Sequence, residues 1–372
     1  MTTPPGNRSY ALIDGDAHIN EPPDLWTERL PRRFRDRAPR VMSFDEGDGW
    51  VLEGVADPIN FGLNASAGMD ADAARGWVRW NEIRAGGYDP VVRLQEMDRD
   101  EVDAAVLFPT PRLSHANIAN PDGEFHLALI QAYNDWLSEY CAHAPHRLGG
   151  AMMLPNSGIA DALKEIERVG TRPGIVGALI GCYPHGDLDI SPDDDEVWRT
   201  VAAAGMPLHI HVSLNDAMPA AHAKGAIVGD VRFYDAPKRI LQFVMTGVFD
   251  RVPDLELVMV EVDAGWVPYF KQQVSDRFER FGYSKTMPVQ RRPADYIEDH
   301  ISFTIITDTF ALDNRDSIGV DRLLWSSDFP HMGADWPHSW RTINHDYARI
   351  PRHERDLILA GNAQRLYGFD RR

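Results

Sequence analysis

Aspartate and histidine side chains occur at three separate points of the chain, with the spacing that a metal site needs. Asp16 and His18 lie two residues apart near the N-terminus, His209 and His211 lie two apart near the middle, and Asp328 lies near the C-terminus. Residues two apart on a strand point to the same face, and carboxylate and imidazole groups together suit zinc, manganese or iron. An isolated Asp-x-His is more often a turn aspartate beside a surface histidine. A metal site is therefore expected only if the fold brings the three points together.

Each of these points stands at the end of a short apolar run, and eight such runs alternate with longer amphipathic stretches. This alternation is typical of buried parallel strands joined by helices. It predicts an α/β fold, a (β/α)8 TIM barrel made by one domain of residues 1–372. The predicted strands are Ala11–Asp16, Ala104–Phe108, Gly149–Leu154, Ile175–Ile180, Pro207–Val212, Leu255–Glu261, Ile301–Ile306 and Leu323–Ser327. The predicted helices are Gly123–Ala144, Gly158–Val169, Asp193–Ala204, Asp230–Phe249, Trp266–Phe281, Asn314–Gly319, His338–Ala348 and Arg352–Gly361.

At the mouth of such a barrel the C-terminal ends of all eight strands meet, and catalytic groups are placed there. We therefore predict one divalent metal ion, zinc in preference to manganese or iron, with a coordination position left open for water. The predicted ligands are Asp16, His18, His211 and Asp328, although Asp328 taken alone reads equally well as a helix-capping aspartate. His209 lies nearer the start of its strand than His211, so we expect it to be a buried core histidine in a lower layer of the barrel.

An acidic residue ends the most apolar of the predicted strands. Glu261 follows Leu255–Val260, and burying a carboxylate in such a place is unfavourable without a partner. We predict that Glu261 is a proton-transfer group or an outer contact of the metal. The alternative is a salt bridge to an arginine across the barrel. Asp263 shares the face of Glu261 and is the second candidate for the proton-transfer role.

The segment 21–88, which follows the first predicted strand, differs from the rest of the chain. It is rich in proline, glycine and aspartate, and its Gly49–Gly54 stretch predicts a small hairpin. The alternative is a disordered loop, but Trp50, Trp77 and Trp80 argue against it, because disordered segments are poor in aromatic residues. We predict an insertion that folds as a cap over the barrel mouth.

The composition excludes several classes of function. The chain has 372 residues and a formal net charge of -18, whereas phosphate binding needs a basic surface, so we expect no nucleic-acid partner. No apolar run approaches the length of a membrane-spanning helix, and the first residues lack a signal-peptide pattern. Cys141 and Cys182 make neither a disulfide framework nor a cysteine-rich zinc site. We expect a cytoplasmic protein.

Four stretches of the sequence together resemble the amidohydrolase-related family of the metal-dependent hydrolase superfamily. That family includes aminocarboxymuconate semialdehyde decarboxylase and the resorcylate-type decarboxylases. The likeness covers nearly the whole chain outside the segment 21–88, and the last of the four stretches is the most specific. The stretches are Asp14–Pro22, Pro207–His211, Pro253–Trp266, and Ser327–His331 together with Trp336-Pro337.

The resemblance carries site residues over by position. The metal ligands of the family fall on the four predicted ligands, and its water-activating or proton-handling residue falls on Glu261. Two positions depart from the family pattern: Asp16 stands where the family often has His or Glu, and Glu261 stands where it often has His. Glutamic acid is a stronger acid than imidazolium, so a base near neutral pH needs a pKa raised by burial.

The resemblance implies a metal-dependent decarboxylase of a small aromatic or unsaturated carboxylic acid, acting as a homodimer. The alternatives are a hydrolase of an amide, ester or lactone that uses metal-bound hydroxide, and a non-catalytic barrel. We count Asp328, Glu261 and His331 as catalytic candidates. His331 is placed at the pocket edge to bind substrate, or else caps the following helix. The sequence leaves open whether Glu21, Asp263 or Arg112 contacts metal or substrate.

Overall fold

The computed structural model describes residues 10–70, 75–218 and 232–369 of the chain. Its strands are β1 (Ile13–His18), β2 (Arg40–Ser43), β3 (Asp48–Val51), β4 (Ile59–Asn60), β5 (Ala104–Phe108), β6 (Leu148–Met153), β7 (Ile175–Ile180), β8 (Leu208–His211), β9 (Leu257–Val260), β10 (Ile301–Ile305) and β11 (Leu323–Trp325). Every predicted strand overlaps one of these. β1 extends two residues beyond its predicted end, so Asp16 and His18 lie within it.

Eight of the strands form one parallel sheet in the order β1-β5-β6-β7-β8-β9-β10-β11. Its two outermost strands meet, because the amide of Asp328 donates to the Asp16 carbonyl at 3.0 Å and the amide of His18 donates to the Phe329 carbonyl at 2.6 Å. The sheet therefore curls into a nearly closed barrel, and its strands are almost wholly buried. The predicted (β/α)8 barrel is confirmed.

Helices cover the outside of the barrel. They are α1 (Leu25–Arg29), α2 (Pro90–Arg99), α3 (Pro111–Ile118), α4 (Gly123–Cys141), α5 (Ile159–Val169), α6 (Asp195–Ala203), α7 (Ala236–Met245), α8 (Val248–Arg251), α9 (Val267–Arg280), α10 (Pro293–His300), α11 (Thr309–Asp313), α12 (Arg315–Ile318), α13 (Ser339–Asp346), α14 (Arg352–Asp356) and α15 (Asn362–Tyr367), and a π-helical turn at Leu357–Gly361 joins the last two. In the parts of the chain that the structure describes, none of these helices is both long and apolar enough to cross a membrane.

The helices differ from the prediction in two ways. α1, α2, α3, α10 and α11 were not predicted. Three of them, α2, α3 and α10, begin at a proline, which suits the first helical turn because the missing amide has no intrahelical partner there. The helix predicted over Asp230–Phe249 begins outside the described residues. Its described part divides into α7 and α8 at Gly247, whose φ of 74° is left-handed and interrupts the helix.

The segment 21–88 contains α1 and a small antiparallel sheet in the order β2-β3-β4, which takes the place of the hairpin predicted at Gly49–Gly54. Trp50 of β3 is buried against Trp26 of α1. Two backbone hydrogen bonds join the segment to the chain after β11: the Ala67 amide donates to the Pro330 carbonyl, and the Met332 amide donates to the Leu63 carbonyl.

Candidate metal centre and active site

The centre of the barrel mouth holds an aspartate and a histidine from β1. Asp16 and His18 are fully buried. The Nδ1 atom of His18 lies 2.9 Å from the carbonyl oxygen of Pro109. Because a carbonyl can only accept a hydrogen bond, Nδ1 carries a proton, and Nε2 presents its lone pair to the mouth when the ring is neutral. A metal-ligating histidine needs this arrangement.

A second histidine and a glutamate face this pair. Nε2 of His211, at the end of β8, lies 3.1 Å from Nε2 of His18, 3.5 Å from Oδ1 of Asp16 and 3.4 Å from Oε2 of Glu261. One ligand atom from each of these four residues lies within 4.8 Å of the others. The barrel thus brings three predicted ligands together with the predicted proton-transfer group.

The carboxylate of Asp16 is buried without a hydrogen-bond donor. Neither of its oxygens accepts a hydrogen bond from the described residues, although Nε2 of His18 and Nε2 of His211 each lie 3.5 Å from Oδ1. A buried carboxylate in this state is unfavourable. A divalent cation placed between these oxygen and nitrogen atoms would remove the penalty, so the donor set fits a metal ion.

Asp328 and His331 form the other side of the site. Oδ1 of Asp328 lies 3.4 Å from Nε2 of His18 and 2.6 Å from Nδ1 of His331. The His331 ring stacks on the His18 ring, with centroids 3.9 Å apart. Nε2 of His331 is buried and makes no hydrogen bond to the described part of the chain. His331 therefore lies inside the site, against two of the predicted ligands.

Burial and charge act on these side chains in opposite directions. Burial alone would lower the pKa of His18, but its hydrogen bond to the Asp328 carboxylate and the charge of Asp16 outweigh burial, and the pKa is raised. Burial and the neighbouring His18 lower the pKa of His331. Burial opposes the charge of Asp328, yet His331 and His18 hold the pKa of that carboxyl well below its usual range. A charged Asp328 between two imidazoles is the state that could bind a cation.

The backbone turns sharply where the strands reach the mouth. Val212, Glu261, Asp263 and Asp328 all have left-handed φ angles, between 53° and 59°. This conformation is uncommon and unfavourable for residues other than glycine, and it persists where the surroundings enforce it, often at functional sites. These residues follow β8, β9 and β11, so the unfavourable turns coincide with the candidate site.

Two buried residues that sequence reasoning missed hold the site residues in place. Asp14 accepts hydrogen bonds from the amides of Asp16 and Ser327 and from the Ser327 hydroxyl, so it links β1 to the residue before Asp328. Burial raises the pKa of Asp14 to about 7. The hydroxyl of Thr304 accepts a hydrogen bond from the Glu261 amide at 2.7 Å. Asp14 lies two residues before Asp16 in the sequence, and that pair of acidic residues was the available signal.

His209 occupies the lower layer of the barrel. Its Nδ1 lies 3.0 Å from the Ala178 carbonyl oxygen and its Nε2 lies 3.0 Å from the Tyr367 hydroxyl. Burial lowers the pKa of His209 to about 4. With both ring nitrogens engaged, His209 has no atom left for a metal.

The remaining candidates of the sequence analysis are Glu21, Asp263 and Arg112. Glu21 is buried and accepts a hydrogen bond from the Thr110 amide, and burial raises its pKa to about 7. Asp263 is exposed. Burial lowers the pKa of Arg112. The pKa of the nearby His115 is lowered to about 4 by its own burial and by the charges of His211 and Arg112. His115 lines a small cavity beside His211 and was not singled out in the sequence.

A larger cavity of about 600 Å³ opens beside Asp328, at the ends of β9, β10 and β11. This volume lies within the range of small-molecule sites. Its walls combine aromatic and acidic side chains, and the Phe233 and Trp266 rings stack with centroids 5.8 Å apart. The lining residues include Phe233, Asp263, Trp266, Thr307, Phe310 and Asp328.

Comparison with known proteins places the chain in a family. The amidohydrolase family matches residues 13–369. The γ-resorcylate decarboxylase of Polaromonas sp. is 26% identical over 263 residues, which cover 64% of this chain and 76% of that protein. A solved amidohydrolase from Mycobacterium avium subsp. paratuberculosis is 20% identical with a TM-score of 0.75, covering 97% of this chain and 99% of its own. A dihydroxybenzoic acid decarboxylase from Polaromonas sp., solved with bound manganese and the inhibitor 2-nitroresorcinol, is 20% identical with a TM-score of 0.64, covering 98% of each chain. These two solved structures share the fold of this chain. The match of the family model to residues 13–369 shows that the chain belongs to the amidohydrolase family.

Proposed function

We propose that this protein is a metal-dependent decarboxylase of a small aromatic or unsaturated carboxylic acid. The relative from Polaromonas decarboxylates γ-resorcylate, a dihydroxybenzoate, and a dihydroxybenzoic acid decarboxylase shares the fold. Within this chain, one observation carries the proposal. The buried Asp16 carboxylate lacks a hydrogen-bond donor among the described residues, while Nε2 atoms of two histidines lie beside it.

The proposed ligands of the ion are Asp16, His18, His211 and Asp328. The first three lie in one cluster, and Asp328 is included because its Oδ1 lies 3.4 Å from Nε2 of His18. Zinc is the predicted ion because it accepts mixed oxygen and nitrogen ligands, and the manganese bound to the Polaromonas decarboxylase makes manganese the alternative. When bound, such an ion supplies Lewis acidity to a substrate oxygen.

Glu261 is the group that we assign to proton transfer. Decarboxylation of an aromatic acid forms a C–H bond at the ring carbon, breaks the bond from that carbon to the carboxylate, and releases CO₂ without net oxidation. Glu261 donates the proton that the ring carbon gains, and water returns a proton to it. Its Oε2 lies 3.4 Å from Nε2 of His211, which places the carboxyl group beside the proposed ion site.

His331 and the large cavity are assigned to the substrate. Nδ1 of His331 donates to Asp328, and the buried Nε2, which has no partner among the described residues, can accept a hydrogen bond from a substrate hydroxyl. The cavity beside Asp328 offers the stacked rings of Phe233 and Trp266 to the body of an aromatic substrate.

Elemental analysis and CO₂ release from γ-resorcylate and related hydroxybenzoates test the proposal together. We expect one equivalent of metal and metal-dependent CO₂ release. A metal-loaded protein that releases no CO₂ but hydrolyses a lactone or ester would be a hydrolase that uses the same groups. A folded protein with no affinity for zinc or manganese would be a non-catalytic barrel.

Three further predictions belong to this proposal. The segment 21–88 caps the barrel mouth, supported by its hydrogen bonds to Pro330 and Met332. The protein is a homodimer, which light scattering after size-exclusion chromatography would test. It acts in the cytoplasm, which localisation of the tagged full chain would test.

A further inference from the structure

Arg93 of α2 is an arginine whose guanidinium is buried. It is only 1% exposed, and its guanidinium has no carboxylate within ion-pair distance among the described residues. Burying an unpaired guanidinium is unfavourable. Two other contacts hold it: Nη1 donates a hydrogen bond to the His18 carbonyl at 2.9 Å, and the guanidinium carbon lies 4.6 Å from the centre of the Phe329 ring.

Both partners of Arg93 belong to segments that carry proposed metal ligands. His18 is itself a ligand, and Phe329 directly follows Asp328. These two segments already meet, because the His18 amide donates to the Phe329 carbonyl. Arg93 therefore contacts both sides of one junction from a third element, the helix α2.

We propose that Arg93 is a positioning residue for the metal site, which fixes His18 relative to Asp328 without touching metal or substrate. The inference rests on the proposed metal-dependent function. A charge-assisted hydrogen bond holds the end of β1, and a cation–π contact holds the residue after Asp328. Without Arg93 the two ligands remain but lose their common support. Removing such outer partners of metal ligands typically lowers metal affinity by about 10–100-fold.

Arg84 provides a matched control. It makes the same two kinds of contact, since its Nε donates to the Ala67 carbonyl at 2.6 Å and its guanidinium carbon lies 3.9 Å from the centre of the Trp336 ring. It differs from Arg93 in a further ion pair with Glu96 at 3.7 Å. None of these partners is a proposed ligand or lies next to one in the chain. An effect specific to Arg93 therefore reports on the ligand segments rather than on the general loss of an arginine.

The test measures the Kd for zinc of the full-length protein by competition with a chromogenic chelator, at a temperature where each variant is folded by circular dichroism. We expect Arg93→Met to raise the Kd by about 10–100-fold and Arg84→Met to leave it near the wild-type value, even if both lower the melting temperature. Arg93→Lys should fall between, because lysine keeps the charge and loses the planar fork.

A second variant covers the case in which Arg93→Met fails to fold. Phe329→Leu removes the ring but keeps the hydrogen bond from Arg93 to the His18 carbonyl, so it should also raise the Kd. The double variant with Arg93→Lys should raise the Kd by less than the product of the two single effects, because both changes weaken the same contact. Wild-type affinity in Arg93→Lys and Phe329→Leu, or an equal loss in Arg84→Met, would overturn the inference. A wild-type protein that binds no zinc would instead remove the proposed function, and this inference with it.

Discussion

Replacing Glu261 with glutamine tests the proton-transfer role most directly, because glutamine keeps the size and hydrogen bonding of the side chain and removes the acid. The side chain is buried, and its Oε2 lies 3.4 Å from Nε2 of His211. The left-handed turn at this residue is held through its amide, which donates to the Thr304 hydroxyl. The substitution leaves that bond intact, so the variant should fold and bind metal normally.

The expected loss falls on turnover. General acid–base groups contribute about 10²–10⁴-fold in rate, so kcat should fall by that factor, which raises the barrier by about 2.7–5.5 kcal/mol. The assay is CO₂ release by the metal-loaded variant, with metal content measured on the same sample, and the pH–rate profile should lose one limb. The matched control is Glu256→Gln, the same change below the start of β9, where the carboxylate pairs with Arg322 at 2.7 Å. Near-wild-type turnover in Glu261→Gln would refute the role and transfer it to Asp263 or His331.

Three further predictions concern neighbouring residues. Replacing His211 or Asp328 with alanine should abolish stoichiometric metal in elemental analysis, and a full complement in either variant would remove that residue from the ligand set. His209→Ala should keep its metal but lose about 2–4 kcal/mol of unfolding free energy in urea, because it leaves a cavity and removes one hydrogen-bond partner of the buried Tyr367 hydroxyl; loss of metal would contradict its place in the core. Burial raises the pKa of Glu21 to about 7 from an ordinary value of 4.5, so the folded state binds this proton more tightly and stability falls as the pH rises through that window. Glu21→Gln should therefore be about 3 kcal/mol more stable than the wild type at pH 8 and little changed at pH 4, and equal urea midpoints at pH 8 would contradict that reasoning.

The fold and the neighbourhood of the site were predictable because both depend on local patterns. A buried parallel strand needs a continuous apolar run, and such runs stand out against amphipathic helices. Once eight runs imply a closed barrel, the geometry of the fold requires that residues at their C-terminal ends meet. Barrel geometry alone therefore brings Asp16, His18, His211 and Glu261 together, as the structure does.

What escaped prediction depends on contacts between distant elements. The polar residues Asp14 and Asp16 interrupt the apolar run of β1, so its predicted end fell before His18, although both side chains are buried. Arg93 lies on a helix, where an arginine is ordinarily exposed. Only the position of α2 against the ends of β1 and β11 makes it a buried residue.

The same residues close the barrel through their backbones and form the proposed metal site through their side chains. The hydrogen bonds between β1 and the chain after β11 use the carbonyl of Asp16 and the amides of His18 and Asp328, all residues that we propose as ligands. Asp328 makes its bond from a left-handed conformation that costs about 1–3 kcal/mol. The junction between β1 and the chain after β11 therefore holds backbone strain at a proposed ligand of the cation. A metal bound there would stabilise the folded state because the unfolded chain cannot bring these residues together. Closure of the fold and binding of the ion are therefore linked through the two most distant parts of the chain.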